Sequence, residues 1–127
     1  MLTVIEGRVL GCLLEKERTT PDQYPLSLNT LVSACNQSSS REPVMTVEVH
    51  DVERAIESLK MQRLARIVHP SHGGRSTRFR QVADETFEWS PAQAAVMTLL
   101  LLRGPQTSGE LRTRSDRLHA FGSVDEV

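Results

Sequence analysis

The stretch Ala65-Arg66-Ile67-Val68-His69-Pro70-Ser71-His72-Gly73-Gly74-Arg75-Ser76-Thr77-Arg78-Phe79-Arg80-Gln81-Val82 decides how the rest of the chain is read. Residues 65–69 and 77–82 are rich in β-branched side chains and alternate in character, and Ser71 to Gly74 is a turn with two adjacent glycines. Gly-Gly between β-branched runs is a hairpin signal. Successive strand residues point to opposite faces, so Phe79 turns one way while Arg78 and Arg80 turn the other. Everything before this hairpin has a different period.

Working backwards, Thr46 reads as the cap of a helix that reaches about Arg63. Val49, Val52, Ile56 and Leu59 form its apolar stripe at spacings of three and four. A polar loop, Asn36 to Pro43, separates it from a shorter helix capped by Ser27, whose stripe is Leu28, Leu31, Val32 and Cys35. Leu26 and Leu31 have the spacing of a hydrophobic staple around that cap. Tyr24 is extended because a residue before proline avoids the helical region. A first helix opens with Thr3 and Glu6 as a capping box and runs to about Lys16, with Ile5, Val9, Cys12 and Leu13 on one face. Gly7 and Gly11 share a face one turn apart, which suits close packing against another backbone. Three helices followed by a hairpin is the order of a winged helix-turn-helix domain, with residues 48–63 as candidate recognition helix and the hairpin as wing.

Working forwards, a short acidic link covers residues 84–89. Ser90 and Gln93 then form a capping box with Pro91 at the first helical position. That helix stops at Arg103-Gly104-Pro105. Thr107 and Glu110 cap another, expected to reach Leu118, and Ser123 with Glu126 begins a third. Val9, Leu13 and Leu14 match Val96, Leu100 and Leu101; Leu31 matches Leu111; Val49 and Val52 match Val124 and Val127. Caps, stops and stripes recur in the same order, so the expected class is mainly α with small β-hairpin wings (α+β). The expected organisation is a tandem of two winged helices: a first domain over 1–83, the link, and over 90–127 the front part of a second, truncated one. The apolar run from Met97 to Leu102 then needs a partner: the first domain, a second copy of the chain, or residues beyond Val127, with dimerisation through an exposed apolar patch the leading expectation.

Several motifs also resemble the YceH-like family of uncharacterised bacterial proteins. These are Leu14-Glu15-Lys16-Glu17, Thr19 to Asn29, Ala34-Cys35-Asn36-Gln37, Arg41-Glu42-Pro43-Val44-Met45 and Gly74-Arg75-Ser76-Thr77-Arg78. The resemblance spans the whole chain and implies a tandem winged-helix protein that continues past Val127. It leads one to expect a lysine near Ser38-Ser39, where none stands. It implies no activity.

Chemistry is sparse. Gly73-Gly74 lacks the lysine and following helix of a phosphate-binding loop. His50, His69, His72 and His119 share no metal-ligand spacing with Cys12 or Cys35, both of which fall on apolar helix faces. Asp51, Glu53 and Glu57 fit the wet face of an amphipathic helix better than a catalytic pair. No enzyme, cofactor, metal or small-molecule substrate is expected. The N-terminus has no signal peptide, and the longest apolar run is about half a bilayer span. The expected location is cytoplasmic, with no membrane partner.

Charge separates the two remaining readings. The net charge is −1, but residues 64–80 carry Arg66, Arg75, Arg78 and Arg80 and no acid. Residues 48–63 carry Glu48, Asp51, Glu53 and Glu57 against Arg54, Lys60 and Arg63. Phosphate neutralisation supplies most affinity for duplex DNA, so the first reading is wing-dominated DNA binding of a transcription-regulator type, with Arg66, Arg75, Arg78 and Arg80 on the duplex and Arg54 near the groove. The alternative is an interaction module that docks a protein partner or self-associates. Fold frequency favours the first and the acidic third helix the second; DNA binding ranks narrowly ahead.

Overall fold

A computed structural model describes residues 2–69 and 77–119. The expected turn of the hairpin, with His72 and Arg75, and the capped segment at Ser123 lie outside them. The element order is α1 (Val4–Thr19), β1 (Leu26–Ser27), α2 (Leu28–Cys35), α3 (Val49–Met61), β2 (Ala65–Val68), β3 (Arg78–Gln81), α4 (Ala83–Phe87), α5 (Pro91–Arg103) and α6 (Ser108–Arg114). The strands form one open antiparallel sheet in the order β1-β3-β2. The architecture is mostly helical with a small three-stranded sheet, an α+β arrangement of winged-helix-like form.

Helix starts follow local chemistry. Thr3, Ser90 and Thr107 each accept a hydrogen bond from the backbone N–H three residues on, and Glu6, Gln93 and Glu110 in turn accept from the cap's own N–H. Ser27 caps α2 through the Thr30 N–H. The third helix departs from expectation: it starts at Val49, with Glu48 rather than Thr46 in the cap position. The reason is Val47, whose N–H donates to Asn36 Oδ1 at 2.7 Å while its carbonyl accepts from Asn36 Nδ2 at 3.0 Å. A backbone pinned in this strand-like pairing leaves the helix to begin beyond it.

One core takes in Val9, Leu13, Leu31, Val52, Ile56 and Leu59, with Phe79 packed against it. It also contains Leu102 and draws on Leu101 and Trp89, so α5 belongs to the same packed body. Of the three expected partners for the Met97–Leu102 run, the one found is α1: among the described elements, α1 and α5 share the most extensive interface. As a result α1 is central. Every residue from Gly7 to Glu15 is buried, including Arg8 and Glu15. A smaller cluster of Ala95, Leu99, Leu111 and Leu118 joins α5 to α6 and the turn after it. α6 ends at Arg114 rather than Leu118, and the acidic link after the hairpin holds the short helix α4. Gly104 closes α5 at φ +76°, a left-handed backbone that suits glycine.

Candidate nucleic-acid interface

The sheet register sets the faces of the wing. Phe79 lies opposite Ile67 and Leu26 and turns toward the core, while Arg66 lies opposite Arg80, and Arg78 opposite Val68 and Ser27. By alternation, Arg66, Arg78 and Arg80 share the outer face. Two like charges directly across a strand pair repel. Glu85 of α4 relieves half of that strain, since its carboxylate meets the Arg80 guanidinium at 3.3 Å. Arg78 is exposed and donates to the Pro25 carbonyl at 3.0 Å, which holds its stem against the β1 end. Arg75 lies outside the described residues.

Arg54 is not part of this group. It is exposed on α3 and lines a shallow depression with Thr3, Ile5, Glu6, Asp51 and Ala55, beside the start of α1. Six residues further along, Lys60 lies about 120° around the helix from it. Lys60 and Arg63 instead join Arg66 and His69 along an open groove of about 500 Å³, whose other wall is Val82, Glu85 and Thr86. Neither the Arg63 nor the Arg66 guanidinium has a hydrogen-bond or ion-pair partner among the described residues. Sequence reading missed this groove because Lys60 and Arg63 were summed with the acids of the same helix. The available signal was their spacing: Lys60, Arg63, Arg66 and His69 stand at every third position across the helix end and into the strand. The outward face of α3 is different again, with His50, Glu53, Glu57 and Met61 exposed, Met61 at 85%.

The polar groups that organise the scaffold are buried. Glu15 on α1 is fully enclosed and takes a two-pronged contact from Arg41, Nη2 to Oε1 at 2.7 Å and Nη1 to Oε2 at 3.0 Å. Arg117 adds a third bond at 2.8 Å, reaching back from the turn after α6. Burial alone would raise the Glu15 carboxyl, but hydrogen bonds and charge from Arg41, then Arg117, prevail and hold it at about 2. Arg41 also donates to the Ala34 and Ser40 carbonyls, and Arg8 to those of Cys35 and Pro43. The Glu42 N–H caps α5 through the Leu102 carbonyl at 2.9 Å. The Asn36–Pro43 loop is thus fastened to α1, α2 and α5 at once. Cys12 and Cys35 are buried and reduced, the Cys35 thiol pushed up by the adjacent Cys12 and by burial.

Among the described residues, no group of three or more His, Cys, Asp or Glu is placed to hold a metal, and no helix is long and apolar enough to cross a membrane. The side chains available offer cation and hydrogen-bond donors on a surface, which suit a polyanion.

Comparison with known proteins gives the lineage. The chain is 50% identical over 127 residues to a UPF0502 protein of Geobacter sulfurreducens, covering 100% of this chain and 57% of that protein. It is 52% identical over 130 residues to a UPF0502 protein of Shewanella woodyi, covering 99% and 59%. A UPF0502 protein of Geotalea uraniireducens is 51% identical over 129 residues, covering 99% and 58%. The chain therefore spans somewhat over half the length of these relatives. The family described as "Protein of unknown function, DUF480" matches residues 2–127. With agreement over this length and at these identities, the chain belongs to that bacterial family.

Proposed function

We propose that this chain is a non-enzymatic, DNA-binding winged-helix module whose affinity comes from its wing. The observation that carries this reading is the outer face of the hairpin, where Arg66 and Arg80 stand directly opposed, Arg78 lies beside them, and residues 64–80 contain no acid. Arg75, outside the described residues, belongs to the same basic stretch of sequence. Clustered like charges on a small sheet cost stability unless an anion is near, and a phosphate backbone supplies anions at regular spacing. Arg54 makes a minor contribution in this reading, since Glu6 and Asp51 share its depression.

The tandem organisation is part of the proposal: a first unit over 1–83, a link over 84–89, and a second unit opening at 90. Its support is the recurrence of capping boxes at Thr3, Ser90 and Thr107, together with the greater length of the relatives. A second reading, docking of a protein partner or a second copy, is favoured by the exposed Glu53, Glu57 and Met61 on the outward face of α3.

The experiment is a titration of the full chain into a labelled duplex across a series of salt concentrations. The expected result is affinity that falls linearly in log–log form as salt rises. No binding at low salt overturns the DNA reading and leaves the docking module.

A further inference from the structure

Among the described strands the sheet order leaves one edge of β2 unpaired, and the groove beside it joins Arg66 of the wing to Lys60 and Arg63 at the end of α3. We infer that this groove, lined by Lys60, Arg63, Arg66 and His69, extends the basic face of the wing as an anchoring track for a phosphodiester backbone, so that a duplex docks along the β2 edge instead of over the outward face of α3. The inference rests on the DNA-binding reading and specifies where that binding happens.

Three observations carry it. Among the described residues three cations line the groove against a single acid, Glu85, which Arg80 engages at 3.3 Å; Lys60 is held at the rim by Glu57 at 3.4 Å. Arg63 and Arg66 have no partner among the described residues, and guanidinium forks match phosphate oxygens two at a time. Arg66 belongs both to the groove and to the outer wing face, so the basic track continues from the end of α3 through Arg66 to Arg78. A track of this kind suits a repeating polyanion better than one isolated anion. The opposite choice, a duplex centred over α3, would press phosphates toward exposed Glu53 and Glu57.

The test uses a fluorescein-labelled duplex of about 20 base pairs, with the whole chain as wild type, as the pair Arg63→Gln with Arg66→Gln, as the pair Arg63→Lys with Arg66→Lys, and as Arg112→Gln, an exposed arginine on α6. Losing two phosphate contacts flattens the salt slope by about 1.8 and weakens binding roughly 60-fold near 0.1 M salt. The glutamine pair shows that loss, the lysine pair keeps the wild-type slope, and Arg112→Gln stays within about twofold. Thermal melting of each variant confirms that it is folded. Wild-type slope and affinity in the glutamine pair overturn the groove and leave the functional reading standing. Absence of wild-type binding at low salt overturns both. Displacement of the duplex by poly-glutamate as readily as by unlabelled duplex of equal charge also overturns it, and assigns the groove to an acidic protein segment.

Discussion

Gly11 and Leu102 meet so closely that a Cβ on the glycine would lie 2.8 Å from the leucine Cδ2 and 3.1 Å from the Cβ of Leu101. At this glycine α5 packs directly onto α1, and Leu102 joins the same core as the three helices before it. At Gly7, one turn earlier, a Cβ would meet nothing nearer than 3.7 Å.

These two glycines give opposed predictions from one substitution. In a helix interior alanine is favoured over glycine by about 1 kcal/mol. At Gly7 that preference acts alone, so Gly7→Ala is neutral to stabilising by up to about 1 kcal/mol. At Gly11 the added methyl must displace a leucine that is itself buried, and overpacking costs about 1–3 kcal/mol. Gly11→Ala is therefore expected to be net destabilised. Urea midpoints of the two variants check this, and equal shifts would refute the close approach.

The Glu15–Arg41 pair predicts an acid transition. The Glu15 carboxyl sits at about 2 in the fold against an ordinary 4.5, so the folded state favours the ionised form. Its contribution is complete above about pH 4.5 and is lost as pH falls toward 2, amounting to about 3 kcal/mol. Glu15→Gln leaves Arg41 buried without its counter-charge and costs about 3–5 kcal/mol near neutral pH. The variant's stability also changes less than that of wild type between pH 4.5 and 2. Denaturant melts across that range measure the difference directly.

Asn36 predicts a local opening. Its amide satisfies both backbone groups of Val47, and leaving buried groups unpaired costs about 1–3 kcal/mol. Asn36→Ala is expected to lose about that much. The Val47 amide then exchanges with solvent faster, while amides in the middle of α1 slow or quicken only with global stability. Residue-resolved hydrogen exchange separates the two.

The helix caps were legible because each is a local event: Thr3, Ser27, Ser90 and Thr107 act within three residues of themselves. The hairpin was legible from its change of period, and the packing role of Gly7 and Gly11 from their spacing. What stayed hidden depends on distant segments. Leu26 and Ser27 become a strand only by pairing with Phe79 and Arg78, and two residues carry no period. Thr46 has the chemistry of a cap, yet Asn36, ten residues earlier, decides otherwise. Arg8 and Glu15 sit in a helix whose stripe suggested a wet side, and only the return of Arg41, Pro43 and Arg117 explains why charges are buried there. On the surface, summing charge over the whole third helix cancelled an acidic first half against a basic end, and with it the groove.

Core truncation probes the shared body of the fold. Ile56 is buried with Leu59 and Val52 against α1, so Ile56→Ala costs about 2–5 kcal/mol. Because Leu102 belongs to the same cluster, Leu102→Ala falls in that range as well, and both variants lose structure in a single transition. Separate transitions for residues 1–83 and the later helices, seen by two probes, would contradict a common core.

Charge reversal on α3 discriminates the docking geometry. Glu53 and Glu57 are exposed on the outward face of the helix, but Glu57 pairs with Lys60 at 3.4 Å at the rim of the groove, so Glu53, one turn earlier, is the discriminating position. If α3 lay in the major groove, replacing Glu53 by lysine would add a contact near the phosphates and steepen the salt slope by as much as about 2 units, counting the repulsion removed. Docking along the β2 edge keeps that position farther from the backbone, where screening beyond about 10 Å weakens the effect. Glu53→Lys is therefore expected to tighten duplex binding by less than about threefold near 0.1 M salt, with a slope within about half a unit of wild type. Fluorescence anisotropy over a salt series decides between them, and a steep new slope would move the duplex back onto α3.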